Sequence, residues 1–259
     1  MVLLVLVFAS GQRNFSIESS SPPSISYIII NELIKLKIME HTINIQHIEH
    51  VNHNVLRIVT DKPKGYDFRP GQATELSIKK DGWKDKNRPF TFTSLPEDDR
   101  LEFTIKVYPA RDGVTDRLEG LEVGDELIIS DAWGAIEYKG PGTFIAGGAG
   151  ITPFIAIFKD LVYKDEIQDN TLLFSNKKER DIIYKNNLEA WLGKDVHFVL
   201  SEESKEEYDS GHIDAEILKK YNLNTAKPVY LCGPPEMEDA IKADLIKLGV
   251  SDDLIVTEA

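Results

Sequence analysis

Two glycines, Gly148 and Gly150, flank Ala149 in the stretch GGAGITPFIAIFKDL, and Thr152 and Pro153 follow at once. Glycines at this spacing clear side chains away, so that backbone N–H groups can come close to an anion. Pro153 suits the first turn of a helix, where a hydrogen-bond donor is not needed. A helix beginning there turns its partial positive end toward the same place. Three readings fit the stretch alone: a structural turn, a phosphate cradle, or part of a dinucleotide site. The dinucleotide fingerprint wants a third glycine where this chain has Pro153, so the motif is weak in isolation. Two further clusters could do chemistry. RPFTFTS, from Arg88 and Pro89 through Phe90 and Thr91, sets a cation, a ring and hydroxyls within a few residues. YLCGPPEM places Cys232, Gly233 and Pro234 at the end of an apolar run.

Elements of two kinds must position these clusters. From Met39 to about Tyr138 the pattern is short and β-like: TINIQHI, NVLRIVT, ATELSIKK, PFTFTSL, RLEFTIKVY and DELIISD, separated by turns rich in Gly, Pro and Asp. Six such strands predict a small antiparallel barrel, with EHVNH as the first turn. One helix interrupts them in GVTDRLEGLEVGD, with Thr115 as its cap and Gly124 closing it. After Gly140 strands and helices alternate. GTFIAGG, TLLFSN, VHFVLSE, PVYLCGPP and LIVTEA read as strands. TPFIAIFKDLVY, IIYKNNLEAWL, DAEILKKYN and EMEDAIKADLIKLG read as helices. That rhythm predicts a parallel sheet with helices on both faces. The fold class is therefore a β barrel plus α/β, with a barrel domain over 39–139, an α/β domain over 140–259 and KGPG at the junction. Ligands of such a sheet bind at the carboxyl ends of its strands, where GGAGITP and CGPP both lie.

The chain has 259 residues, 42% of them hydrophobic and 28% charged, enough apolar material for real cores. A formal net charge of -13 disfavours general nucleic-acid binding. The single cysteine excludes a disulfide framework and a chain-borne iron–sulfur cluster, which takes about four cysteines. A reducing, cytoplasmic compartment follows most simply. The opening MVLLVLVFAS is too short to span a bilayer, which needs roughly 20 residues, and no Lys or Arg precedes it. Met39 reads as the natural start. Residues 1–38 then form an extension, disordered or not native, with an export signal or an amphipathic helix as the alternatives.

FRPGQ, RPFTFTS, DGVTDRL, GGAGITP and CGPPEM, in this order over residues 39–259, resemble the ferredoxin–NADP(+) reductase superfamily. The resemblance implies a barrel that binds FAD and an α/β domain that binds NADPH or NADH. Arg88 matches the arginine that pairs with the FAD diphosphate, and Pro89 lies within the same motif. Phe90 stands where the family has a tyrosine against the flavin ring. Thr91 takes the hydroxyl position beside flavin N5. IKVY matches the strand along the flavin edge, which makes Lys106 and Tyr108 lining residues, although barrel packing explains Tyr108 equally well. Gly113, Val114 and Thr115 match the family's second diphosphate element. Gly148, Gly150, Thr152 and Pro153 match the nicotinamide-dinucleotide loop. Cys232, followed by Gly233 and Pro234, matches a cysteine that orients the nicotinamide and is no covalent nucleophile. Ser175, Asn176, Lys177, Lys178 and Arg180 fall in the region that selects NADPH or NADH, where a solvated charge run is an equal account. Glu258 matches a terminal glutamate, but the aromatic that often shields the flavin is missing from VTEA.

The resemblance implies a flavoprotein reductase that passes hydride from NAD(P)H to FAD and single electrons to a separate small carrier, flavodoxin or ferredoxin. An acidic carrier needs a local basic patch, and KKDGWKDKNR offers Lys79, Lys80, Lys84, Lys86 and Arg88. A reductase of haem proteins or ferric complexes is the rival enzyme reading. A non-catalytic flavin-binding sensor or assembly subunit is the rival of another class. His41, His47, His50 and His53 are read as surface and turn histidines, because no Cys or carboxylate set completes a metal shell.

Overall fold

The computed structural model describes residues 40–108, 113–134 and 136–258, so the expectation for residues 1–38 lies outside the described residues. Six antiparallel strands form the first sheet: β1 (Glu40–Asn52), β2 (Val55–Asp61), β3 (Ala73–Ile78), β4 (Arg88–Thr91), β5 (Arg100–Lys106) and β6 (Glu126–Ser130), in the order β4-β3-β6-β1-β2-β5. The 13 residues of β1 serve two neighbours. Residues 40–44 pair with β6, and residues 45–52 pair with β2. Register shifts at Ile45/His47 and His50/Asn52 bend the strand so that it can pass from one to the other. These bulges also carry β1 through most of the expected EHVNH turn, which shrinks to His53 and Asn54. A bridge between Phe92 and Phe103 brings the two edge strands together and nearly closes the barrel. Its interior is aromatic: the Phe92 ring lies 4.4 Å from Phe68 and 5.3 Å from Phe103, centroid to centroid.

The helix between β5 and β6, α1 (Val114–Leu118), is shorter than the sequence suggests. Its N-cap is Gly113 in extended backbone, with no side-chain cap, and Thr115 lies inside the first turn. Thr115 therefore does not cap it: an N-cap side chain must precede the first helical residue to reach the free N–H groups.

The second sheet is wholly parallel, in the order β10-β9-β8-β7-β11-β12. Its strands are β7 (Thr143–Gly147), β8 (Thr171–Asn176), β9 (Val196–Leu200), β10 (Asp209–Ser210), β11 (Val229–Cys232) and β12 (Ile255–Val256). Helices α2 (Thr152–Tyr163), α3 (Lys185–Leu192), α4 (Ala215–Lys220) and α5 (Pro235–Lys247) connect them. Alternation along each strand assigns the two faces. Phe144, Leu172, Phe174, Phe198 and Tyr230 share one core with Phe154, Phe158, Leu188 and Leu192 of α2 and α3. Ile145, Leu173, Val199, Val229 and Leu231 share the other with Leu218, Ile241 and Leu245 of α4 and α5. Helix α3 begins later than IIYKNNLEAWL suggests, because Tyr184 adopts a left-handed conformation (φ 54°) while Ile182 and Ile183 are buried.

The segment between the sheets is fastened to the second one. The Tyr230 hydroxyl donates to the Gly140 carbonyl (2.7 Å) and accepts from the Lys139 N–H (2.7 Å). Among the described residues no helix is long and apolar enough to cross a membrane.

Candidate functional site at the switch of the parallel sheet

The chain starts the second sheet at its centre with β7, builds outward through β8 to β10, then returns to β7's free side with β11. The strand order reverses between β7 and β11, and the crevice outside their carboxyl ends is where such sheets bind ligands. Gly148 and Gly150 leave the end of β7 in a single tight turn that runs directly into α2. Gly148 has φ +53°, and a Cβ there would meet nothing nearer than the Lys106 Nζ at 3.9 Å. Gly150 is required for another reason: a Cβ would lie 2.2 Å from the Cys232 carbonyl oxygen. The loop thus packs main chain to main chain against the end of β11. Thr152 donates its hydroxyl to the Ala149 carbonyl (3.1 Å), and Pro153 occupies the first turn of α2, whose N-terminus has no side-chain cap.

Asn176 closes β8 beside this loop, one position after Ser175, which pairs with Gly147. Its side chain is buried, and among the described residues neither amide atom has a hydrogen-bond partner. A buried amide is rarely left so, and an uncapped helix terminus with an orphaned amide beside it fits a dinucleotide. Lys177, by contrast, is already paired with Glu202 (2.7 Å), while Arg180 is exposed.

Cys232, 6% exposed, has the Glu258 carboxyl beside its thiol. Burial, then the charges of Glu258 and Glu238, push the thiol's pKa well up, so it stays protonated. The Glu258 residue is exposed as a whole, yet its carboxyl end turns in on Cys232, and its pKa is raised by that local burial. Sequence reading missed Glu238. Its carboxylate accepts the Gly233 N–H (2.7 Å) and its pKa is raised, chiefly by burial. The available signal was an acidic residue in the first turn behind Pro234, a position from which side chains reach back to free N–H groups.

On the barrel side, Thr91 is buried, Phe90 half-buried, and Pro89 and Arg88 exposed, the guanidinium of Arg88 donating to the Asn87 carbonyl (2.7 Å). Lys106 ends β5 and reaches the glycine loop, while Tyr108 is 39% exposed. Gly113, Val114 and Thr115 begin α1, with Val114 buried. The structure therefore brings Gly148, Gly150, Ser175, Asn176, Cys232, Gly233 and Glu258 to one sheet edge, and Lys106 to it from the barrel. Trp83, which sequence reading passed over, carries Lys86 Nζ over its ring (3.9 Å) and Arg117 at 5.3 Å.

The expected basic patch is not an uncompensated one. Pairing of β3 with β6 sets Lys79 against Glu126 (3.0 Å) and Lys80 against Asp125 (2.9 Å), and Lys84 meets Asp81 (3.1 Å). The four histidines face separate carboxylates: His41 Asp131, His47 Glu49, His50 Glu119 and His53 Asp181.

Residues 40–123 match the FAD-binding domain family, and residues 144–243 match the oxidoreductase NAD-binding domain family. The chain belongs to the ferredoxin–NADP(+) reductase superfamily. As a member it pairs an FAD-binding domain with a domain that binds NADH or NADPH. It is 31% identical over 202 residues to the reductase component of propane 2-monooxygenase from Mycolicibacterium smegmatis, covering 71% of this chain and 57% of that one. It is 27% identical over 220 residues to NADH-cytochrome b5 reductase 2 of Mycosarcoma maydis, covering 76% and 62%. The chain thus spans less than two thirds of the length of these relatives. A ferredoxin NADP+ reductase from Neisseria gonorrhoeae with bound FAD and NADP shares the fold, with a TM-score of 0.72, 20% identity and coverage of 85% and 98%.

Proposed function

We propose that this chain takes electrons from NAD(P)H into FAD and passes them singly to a separate small carrier, flavodoxin or ferredoxin. The observation that carries the reading is the meeting of the glycine loop, the Cys232–Glu258 pair and the barrel's Lys106 at one sheet edge. FAD, when bound, accepts a hydride and releases electrons one at a time. The protein's task is then to hold two cofactors face to face and to exclude water.

In this reading Arg88 grips the FAD diphosphate with its fork of donors, as guanidinium suits phosphate. Phe90 lies against the flavin ring, and Thr91 offers a hydroxyl near its N5. Lys106 and Tyr108 line its edge, and the Gly113–Thr115 turn approaches its phosphates. The N-terminus of α2, opened by Gly148, Gly150, Thr152 and Pro153, takes the NAD(P) pyrophosphate, and the orphaned Asn176 amide finds its partner on the same nucleotide. Gly233 and Pro234 border the nicotinamide. Cys232, protonated and buried, orients it as a neutral contact, and Glu258 holds the thiol proton.

Anaerobic titration with NADH and with NADPH, following the visible flavin band, tests the reading. Bleaching by either supports it and names the nucleotide; a yellow protein that neither bleaches sinks it in favour of a sensor. A second reading, reduction of a haem protein, draws on the likeness to NADH-cytochrome b5 reductase 2. Steady-state rates with ferredoxin, flavodoxin and cytochrome b5 as acceptors separate the two: faster turnover with the haem protein decides for the second. The pairing of Lys79, Lys80 and Lys84 with carboxylates removes the main argument for docking through that hairpin.

A further inference from the structure

One buried charged cluster lies outside the cofactor edge and joins the two halves. Glu102 on β5 is 8% exposed. One of its carboxylate oxygens accepts from Lys159 of α2 (2.7 Å) and from the Thr93 hydroxyl (3.0 Å). The other accepts from Arg57 of β2 (2.7 Å). The Lys159 ammonium also donates to the main-chain carbonyl of Thr93 (2.6 Å). Burial works to raise the Glu102 pKa, but Lys159 and Arg57 overturn it and hold the carboxyl below its ordinary range.

The placement of these groups matters more than their number. Lys159 stands about two turns along α2 from Thr152, on the helix that begins at the glycine loop. Thr93 lies two positions past Thr91, just beyond the end of the strand that starts with Arg88. One ammonium therefore fastens the helix of the nucleotide site to the segment of the flavin site through two acceptors, both on the barrel. If either half slid, the buried carboxylate would keep Arg57 but lose its ammonium partner, and the ammonium would lose both its acceptors, which is unfavourable. These contacts thus favour the register seen.

We propose that Lys159 and Glu102 are positioning residues that fix the register between the glycine loop and the Arg88–Thr91 strand, and so the approach of nicotinamide to flavin. The inference rests on the function proposed above. It is tested with the FAD-loaded protein and its K159M, K159R and E102Q variants. Two readouts are taken: anaerobic flavin bleaching over a range of NAD(P)H concentrations, and amide hydrogen exchange without nucleotide.

K159M is expected to lower the limiting bleaching rate about 100-fold, the size of a 1 Å misplacement, with nucleotide Kd changed less than about threefold. K159R, which keeps a cation and donors, should recover to within about fivefold. Exchange should quicken at 92–94 and 155–159 in K159M while β3 and β11 keep their wild-type protection. E102Q, which retains its volume and an acceptor, should show the same pattern more weakly and serves if K159M does not fold. Wild-type rate and exchange in both variants overturn the proposal. A slowed variant whose exchange rises in every strand also overturns it, in favour of a purely structural role. A wild type that neither nucleotide bleaches defeats the underlying function, and this inference with it.

Discussion

Replacing Gly150 with alanine puts a Cβ 2.2 Å from the Cys232 carbonyl oxygen, 2.5 Å from its carbon and 2.8 Å from the Gly233 nitrogen. All three are main-chain atoms, so no rotamer change relieves the overlap. Carbon–oxygen contacts settle at about 3.3 Å or more, so the loop and the end of β11 must part by roughly 1 Å. Overpacking of this kind costs about 1–3 kcal/mol. For a chain of this size ~1 kcal/mol moves Tm by about 2–4 °C, which sets the expected fall at roughly 2–12 °C. The displacement falls between Cys232 and the turn before α2, so the rate of flavin reduction should drop about 100-fold. Thermal unfolding without nucleotide and stopped-flow bleaching with it measure the two effects. Gly148→Ala is the control. There the space is open and only the left-handed backbone resists, at about 1–2 kcal/mol. Without nucleotide, its Tm should therefore fall less than that of G150A. A G150A protein with wild-type Tm and rate, or one no less stable than G148A, would refute the crowding argument.

Arg88→Ala should raise the Kd for FAD about 10- to 100-fold, the worth of a charged hydrogen bond to phosphate, read by the flavin retained on dialysis. Gly142→Ala drives a Cβ to 2.1 Å from the Pro228 carbonyl oxygen, between β7 and β11 but at their other end. It should cost about 1–3 kcal/mol of stability and so lower Tm, while nucleotide Kd stays unchanged, as equilibrium titration will tell. Glu238→Gln keeps an acceptor for the Gly233 N–H and removes a carboxyl whose folded pKa is raised above 4.5. A raised carboxyl favours the fold below its unfolded pKa and loses that contribution as pH climbs through the folded one. E238Q should therefore gain on wild type in Tm as pH rises from about 4 to about 8; a gap that narrows instead contradicts the assignment.

Strand alternation made the second sheet legible: Phe144, Ile145 and Ala146 already announce a strand buried on both faces, and Pro153 marks the start of its helix. The glycine loop and CGPP could be set on one edge because parallel strands share a direction. What stayed hidden depends on partners distant in the chain. Lys79 and Lys80 look like a free patch until β6 arrives beside them with Asp125 and Glu126. Lys159 reads as the polar face of a helix, and only the packing of two sheets gives it Glu102. Thr115 offered a cap by residue type, but the backbone chose Gly113, a decision that spacing does not record. Tyr184 in a left-handed conformation delayed α3 against an apolar pattern that favoured an earlier start.

The strand order of the second sheet also governs how the chain is made. β7 lies at the centre, yet one of its edges is covered only by β11, which follows roughly eighty residues later. At ~5–20 residues per second, synthesis leaves that edge waiting for about 4–16 s. Throughout that interval Phe144, Ile145 and Ala146 sit beside unpaired main chain, a template for foreign strands. During synthesis, that waiting edge is where this half is most open to pairing with the wrong strand.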